Sequence, residues 1–356
     1  MGALQQLSRH LRVPGWLLRR QPQLGAFHLP TEITYMISEH LTNTSLICLA
    51  LTCRTLYTIC FPRNPHLDAT ETKKLLLWLE KDISSFYFCH FCLKLHKWHR
   101  SWVKDIPYGS WDREELPCVE KIECSSIHFT SSCIIPYHIA RLIMNRHFYG
   151  PSHGIPVYKI EGCSSGSGIT SRVKESNSLK ARIIGDKLLI LSVRTATHSK
   201  GHSRVLREHI DILGSPVCCH LTLAEGYPDL APVQLPELAK YKTAPKFFAH
   251  CNQSFGSCAF CLTDYAIDIS WCGKAEGYAI TVQIYQQIGG CRSPFDWSWT
   301  SMSSYDMKEE ARSAHPLEYR PGIIRDMWNK ANGVDSTTQS QWVELPGLDN
   351  HRAIMA

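Results

Sequence analysis

No apolar run in this 356-residue chain approaches the length that crosses a bilayer; residues 188–191 are typical of the longest, only a few residues each. A helical membrane span is thereby excluded. The N-terminus has no uninterrupted apolar segment of the secretory kind, so a reducing, intracellular setting is expected. Clustered positive charge is scarce as well. The formal net charge is +6, and the lysines and arginines are scattered rather than massed, which argues against a nucleic-acid footprint. Catalytic signatures are missing too. There is no G-x-x-x-x-G-K-[ST] phosphate cradle, no G-x-S-x-G elbow and no H-E-x-x-H helix. Gly166-Ser167-Gly168 is too short and too serine-rich for a dinucleotide fingerprint. No internal repeat is visible.

Cysteine and histidine, by contrast, are plentiful, at 16 and 18 residues. In a reducing compartment, paired cysteines mean metal sites or buried small hydrophobes more often than disulfides. Cys89-His90-Phe91-Cys92 has the C-x2-C spacing that turns two thiols inward on one tight loop, and His96 follows. Cys118 and Cys124 are the nearest candidates for a second pair, with His96 or His99 able to replace one of them. Phe88, Phe91, Trp98 and Trp102 can supply a small apolar shell. A second group, Cys251, Cys258 and Cys261, gives C-x6-C-x2-C, and Cys218, Cys219 and His220 upstream can complete a tetrahedral set. The two groups can share one ion or hold two, and the competing reading is cysteines simply buried beside a sheet. If zinc is bound it is expected to be structural, because four thiolate or imidazole ligands leave no open position for a catalytic water. His147 and His153 read as ordinary surface histidines. No enzymatic activity is expected.

Along the chain, residues 1–26 form a basic extension with Arg9, Arg12, Arg19 and Arg20 and no acid. A helix is expected over 68–85, capped by Thr70 or Thr72, with Leu75, Leu76, Leu79 and Ile83 as its apolar stripe. Another is expected over 134–149. The glycine- and serine-rich 161–171 stretch reads as a flexible loop. Residues 183–193 predict a hairpin turning at Gly185-Asp186. Tyr265, Ile267, Ile269 and Trp271, then Tyr278, Ile280, Val282 and Ile284, alternate with smaller or polar residues, the period of two antiparallel strands. Trp297 and Trp299 are candidate binding anchors, with core packing expected for at least one.

The most informative segment is 29–57, LPTEITYMISEHLTNTSLICLALTCRTLY. Pro30 suits a helix start, and Glu32 meets the positive end of the helix dipole. Ile33, Met36, Ile37 and Leu41 share one helical face. Residues 42–45 offer capping oxygens for a second short helix carrying Leu46, Leu49 and Ala50, and Leu56, Ile59 and Cys60 make a third stripe. The ordered pattern leaves more apolar surface than a small bundle can bury alone. It resembles the F-box, the module that docks onto the Skp1 adaptor of cullin-based ubiquitin ligases. Leu56 departs from the tryptophan that many F-boxes carry there. The strings FYFCHFCLKLH, RLIMNRHFYGPSHGIP and CAFCLTDYAI are also similar to segments of uncharacterised F-box proteins of filamentous fungi.

The resemblance implies that Leu29, Pro30, Ile33, Ile37, Leu41, Leu46 and Leu49 insert into Skp1. It also implies that the chain is a substrate receptor, reaching a cullin through the adaptor and holding an unknown substrate protein with its C-terminal domain. A cytoplasmic or nuclear location follows, with no membrane partner. The expected fold class is α+β: a three-helix F-box followed by a mixed domain with an antiparallel β-sheet and candidate zinc knuckles. The expected layout is 1–26 extension, 27–65 F-box, 66–160 helical and Cys-rich, 161–178 loop, 179–332 β-rich domain and 333–356 polar tail. The alternatives are a zinc-stabilised protein- or nucleic-acid-binding protein outside any ligase, and a metal-dependent hydrolase with an open zinc position.

Overall fold

The structure, a computed structural model, describes residues 29–62, 67–99, 126–130, 133–167, 173–198, 203–213, 216–224, 230–233, 235, 237–238, 247–248, 251–274, 277–303, 319–334 and 341–342. It divides into two compact units, Met1–Trp98 and His99–Ala356.

In the first unit three short helices, α1 (Thr31–Glu39), α2 (Asn43–Ala50) and α3 (Arg54–Cys60), precede a longer α4 (Ala69–Asp82). Their boundaries follow from side-chain chemistry. Pro30 is the N-cap of α1 and Glu32 lies in its first turn. Thr42 Oγ1 accepts from the Ser45 N–H and starts α2. Cys53 Sγ accepts from the Leu56 N–H and starts α3. Asp68 and Glu71 form a reciprocal capping box on α4, at 2.7 and 3.3 Å. The expected caps Thr70 and Thr72 are instead inside the first turn, because Asp68 offers a carboxylate one residue before the helix begins. Ile47 of α2 is buried against Leu75 and Leu79 of α4, with Leu51, Phe61, Ile83 and Leu95 packed around them. A hairpin of β1 (Phe86–Cys89) and β2 (Lys94–Lys97) completes the unit. Glu80, wholly buried on α4, accepts the Phe88 N–H at 2.9 Å and so ties β1 to the helix.

The second unit is built on a seven-stranded sheet. A small hairpin, β3 (Ser126–Thr130) with β4 (Cys133–Pro136), leads into α5 (Tyr137–Tyr149). Pro136 is the N-cap of α5, so the helix begins there and 134–136 is strand instead of helix. The main sheet comprises β5 (Gly162–Ser167), β6 (Val173–Ile184), β7 (Lys187–His198), β8 (Cys251–Ser257), β9 (Thr263–Trp271), β10 (Tyr278–Gly289) and β11 (Gln341–Trp342). Their order is β11-β8-β9-β10-β7-β6-β5, and only the β8–β11 pair is parallel. The β6–β7 turn places Gly185 at φ 53° and Asp186 at φ 61°. Two successive positive φ values match the right-handed twist of paired strands, which is why a glycine leads the turn. The β9–β10 register aligns Ile267 with Val282 and Ile269 with Ile280, as the alternation predicts.

Helices α6 (Ser203–Leu213), α7 (Trp297–Ser303) and α8 (Ile323–Lys330) pack on these strands. Asp264, buried on β9, accepts from the backbone N–H groups of Gly322, Ile324 and Arg325 and from Ser257 Oγ, fixing the start of α8. Arg141 on α5 is wholly buried and donates to the carbonyls of Cys291 and Arg292.

Two further expectations change. The glycine- and serine-rich stretch holds strand β5, whose ladder with β6 runs from Gly162↔Leu179 to Ser167↔Lys174. Ladder pairing uses backbone groups that every residue there carries, whatever its side chain. The polar tail contributes β11, where Trp342 pairs with Ser257.

Candidate docking surface and metal centres

The face of α1 is open. Leu29 is 43% exposed, Ile33 39%, Met36 59% and Ile37 41%. Thr34, the buried residue of this helix, lies beside that row, with its Oγ1 donating to the Pro30 carbonyl. Apart from Thr34 and the half-buried Ser38, every residue of the helix is exposed, its large apolar side chains included. Pro30 is exposed, while Leu41, Leu46 and Leu49 are half-buried. On α2 the inward positions are Thr44, Ile47 and Ala50.

Among the described residues, two clusters of thiols and imidazoles form metal-sized groups, each with its ligand atoms within 4.8 Å of one another. The first, in the β1–β2 hairpin, is Cys89, Cys92 and His96. Cys92 Sγ lies 2.9 Å from His96 Nε2. Hydrogen bonds from Cys92, then His96 and the Phe91 backbone, outweigh burial and lower the Cys89 thiol to about 3. Leu93, at φ 51°, reverses the chain directly after the knuckle.

The second cluster is Cys218, His220, Cys258 and Cys261. Cys258 closes the end of β8 and Cys261 precedes β9. The Cys258 N–H donates to the Thr263 carbonyl and the Thr263 N–H to the Cys261 carbonyl, which winds 258–263 into a tight knuckle. The Cys218 N–H donates to the Leu221 carbonyl, folding the upstream ligands on a second turn. His220 Nδ1 faces the sulfurs, 3.6 Å from Cys258 Sγ and 3.9 Å from Cys218 Sγ. Burial raises Cys218 to about 12 and also raises Cys261. Burial pushes Cys258 the same way, but hydrogen bonds from Cys218, Cys261 and His220 hold it well below the ordinary thiol range. Burial disfavours a charged His220, yet the thiols of Cys218, Cys219 and Cys258 raise it. Either cluster can hold a metal ion.

Residues 26–64 match the family model described as F-box-like. The chain carries an F-box-like domain. F-box domains generally bind the Skp1 adaptor of cullin complexes, and the helices α1 to α3 make up the described part of this one. No curated protein and no solved structure matches the chain.

Of the F-box positions singled out by sequence, Leu29, Pro30, Ile33 and Ile37 lie together on the exposed face. Met36 extends it, at 59% exposure, and Tyr35, at 51%, is exposed on another side of the helix. The helical spacing of Met36 already pointed there; Tyr35 gave no periodic signal. Among the cysteines, Cys89, Cys92, Cys258 and Cys261 fall in the two clusters, and Cys118 and Cys124 lie outside the described residues. Cys251 does not join: its thiol donates to the Ile267 carbonyl, and Cys218 with His220 takes its place. Seven residues of extended strand carry Cys251 roughly 20 Å from Cys258. His99 is outside the hairpin cluster. Phe88 and Trp98 of the expected apolar shell are buried, Phe91 is half-buried and Trp102 lies outside the described residues. Trp299 is wholly buried and meets Tyr137 edge to face at 4.9 Å, so it is core and not an anchor. His147 and Asp186 form an exposed pair at 2.7 Å. No described helix is long and apolar enough to cross a membrane.

Proposed function

We propose that the chain is a substrate receptor of a Skp1–cullin–F-box ubiquitin ligase, working in the cytoplasm or nucleus. The F-box docks on the adaptor through the outward face of α1, and the sheet unit holds a substrate protein. The chain needs no catalytic group of its own, since ubiquitin transfer takes place on other subunits. Its contribution is to raise the effective concentration of substrate at the ligase. Zinc, in a structural role, is the ion this reading assigns to the cysteine–histidine clusters, because thiolate and imidazole donors select it over magnesium or calcium.

The observation that carries the reading is the set Leu29, Ile33, Met36 and Ile37, apolar and turned to solvent within the F-box-like domain. An apolar face of this kind marks a protein-interaction site. Co-purification of the full chain with Skp1 is the direct test. Capture is expected with the native chain and lost when Leu29→Ala, Pro30→Ala and Ile33→Ala are combined; unchanged capture by that folded variant refutes the docking face. A zinc-stabilised nucleic-acid binder outside any ligase would instead show binding that falls steeply with salt.

A further inference from the structure

We infer that Cys218 Sγ, His220 Nδ1, Cys258 Sγ and Cys261 Sγ hold one zinc ion in a closed tetrahedral site that clamps the 216–224 turn to the 258–263 knuckle. The inference rests on the zinc assignment above and deepens it, naming four atoms, a separate site and a task.

Distance decides first. Ligands at about 2.3 Å (sulfur) and 2.0–2.1 Å (nitrogen) around a tetrahedral ion lie roughly 3.5–3.8 Å from one another. His220 Nδ1 stands 3.6 Å from Cys258 Sγ and 3.9 Å from Cys218 Sγ, and all four donors fall within 4.8 Å of one another. The two imidazole–sulfur distances therefore match the edges of such a site, and the four donors are close enough together to surround one ion. Three of the four residues are buried and His220 is half-buried, so a dication there is shielded from water.

The sulfurs are also supported from behind. The Phe260 N–H donates to Cys258 Sγ at 3.4 Å, and Thr263 Oγ1 lies 3.1 Å from Cys261 Sγ. Donors of this kind orient thiolates and spread their charge in structural metal sites. Cys219 is the competing third sulfur, since it lies 3.5 Å from His220 Nδ1. Its thiol, however, donates to the Ser301 carbonyl at 3.2 Å, and it falls outside the four-donor group. Four protein ligands leave no corner for a water, which removes the hydrolase reading for this site. Binding is coupled to folding: the ion releases protons from the thiols and joins two turns separated by almost forty residues of sequence.

The test uses the full chain with Cys89→Ser and Cys92→Ser to silence the hairpin cluster. Elemental analysis is expected to find one equivalent of zinc per chain, with an absorption-edge spectrum of three sulfurs and one nitrogen. Adding Cys218→Ser or Cys258→Ser removes that equivalent, whereas adding Cys219→Ser or Cys251→Ser keeps it. Should these chains not fold, cobalt exchanged into the native chain is read instead, for tetrahedral visible bands with thiolate charge transfer. Chelation is then expected to accelerate hydrogen exchange over 216–224 and 258–263. Retention of the zinc after Cys258→Ser and Cys261→Ser together, or a native chain that is folded and metal-free after growth with zinc, overturns the clamp. Skp1 capture is read in parallel. A captured chain without zinc refutes only the clamp; a zinc-loaded chain that is not captured refutes only the receptor reading.

Discussion

Truncating the outward row of α1 separates adaptor affinity from monomer stability. Ile33, Met36 and Ile37 are 39%, 59% and 41% exposed, so between them they leave a little more than one full side chain in water. Burying a large apolar side chain contributes about 1.5–3 kcal/mol, so shielding these portions under an adaptor adds about 2–4 kcal/mol to binding. Replacing all three by alanine is therefore expected to raise the dissociation constant for Skp1 by roughly 30- to 1,000-fold. The helix itself should survive, because alanine is the best helix former and its propensity partly offsets the packing that the longer side chains provide within the monomer. Titration calorimetry against purified Skp1 gives the affinity, and a urea transition gives the stability. The expected pattern is a large loss of the first with a change of only about 1 kcal/mol in the second. A folded triple variant that binds within threefold of the native chain would refute the reasoning. So would a collapse of stability, which would place the three side chains in the core.

Ile47→Ala is expected to do the opposite in the same helical unit. Its side chain is 2% exposed against Leu75 and Leu79, so a cavity should cost about 2–5 kcal/mol in a urea transition. Asp264→Ala removes the acceptor of three backbone N–H groups at the start of α8, and a loss of about 2–4 kcal/mol is expected, with faster hydrogen exchange over 322–326. Gly154→Ala drives a methyl group into the Leu142 carbonyl oxygen on α5, so a drop in Tm is expected in a thermal melt of that variant.

Periodicity carried the regular elements of the fold. Tyr265 to Trp271 and Tyr278 to Ile284 alternate because successive side chains on a strand point to opposite faces, and the register found is the one that aligns the apolar members. Gly185-Asp186 is legible because few residues accept two positive φ values in succession. What the sequence hid is set by tertiary partners. Gly162 to Ser167 lack strand propensity, yet β6 offers them a ladder. Cys251 looks equivalent to Cys258 in spacing, but an intervening extended strand sends it away; Cys218 and His220, which the sequence offered as completing ligands, join the knuckle instead. On α1 the same helical spacing fits a buried or an exposed stripe; the exposure of Ile33, Met36 and Ile37 decides it.

The carboxylate of Glu80 has a mechanical consequence. It fastens the first strand of the hairpin to α4, and α4 shares its apolar seam with α2. The thiol-bearing hairpin is thereby held to the F-box helices like a spoke set in a hub. With the hub seated on its neighbour, the knuckle tip would take its bearing from those helices.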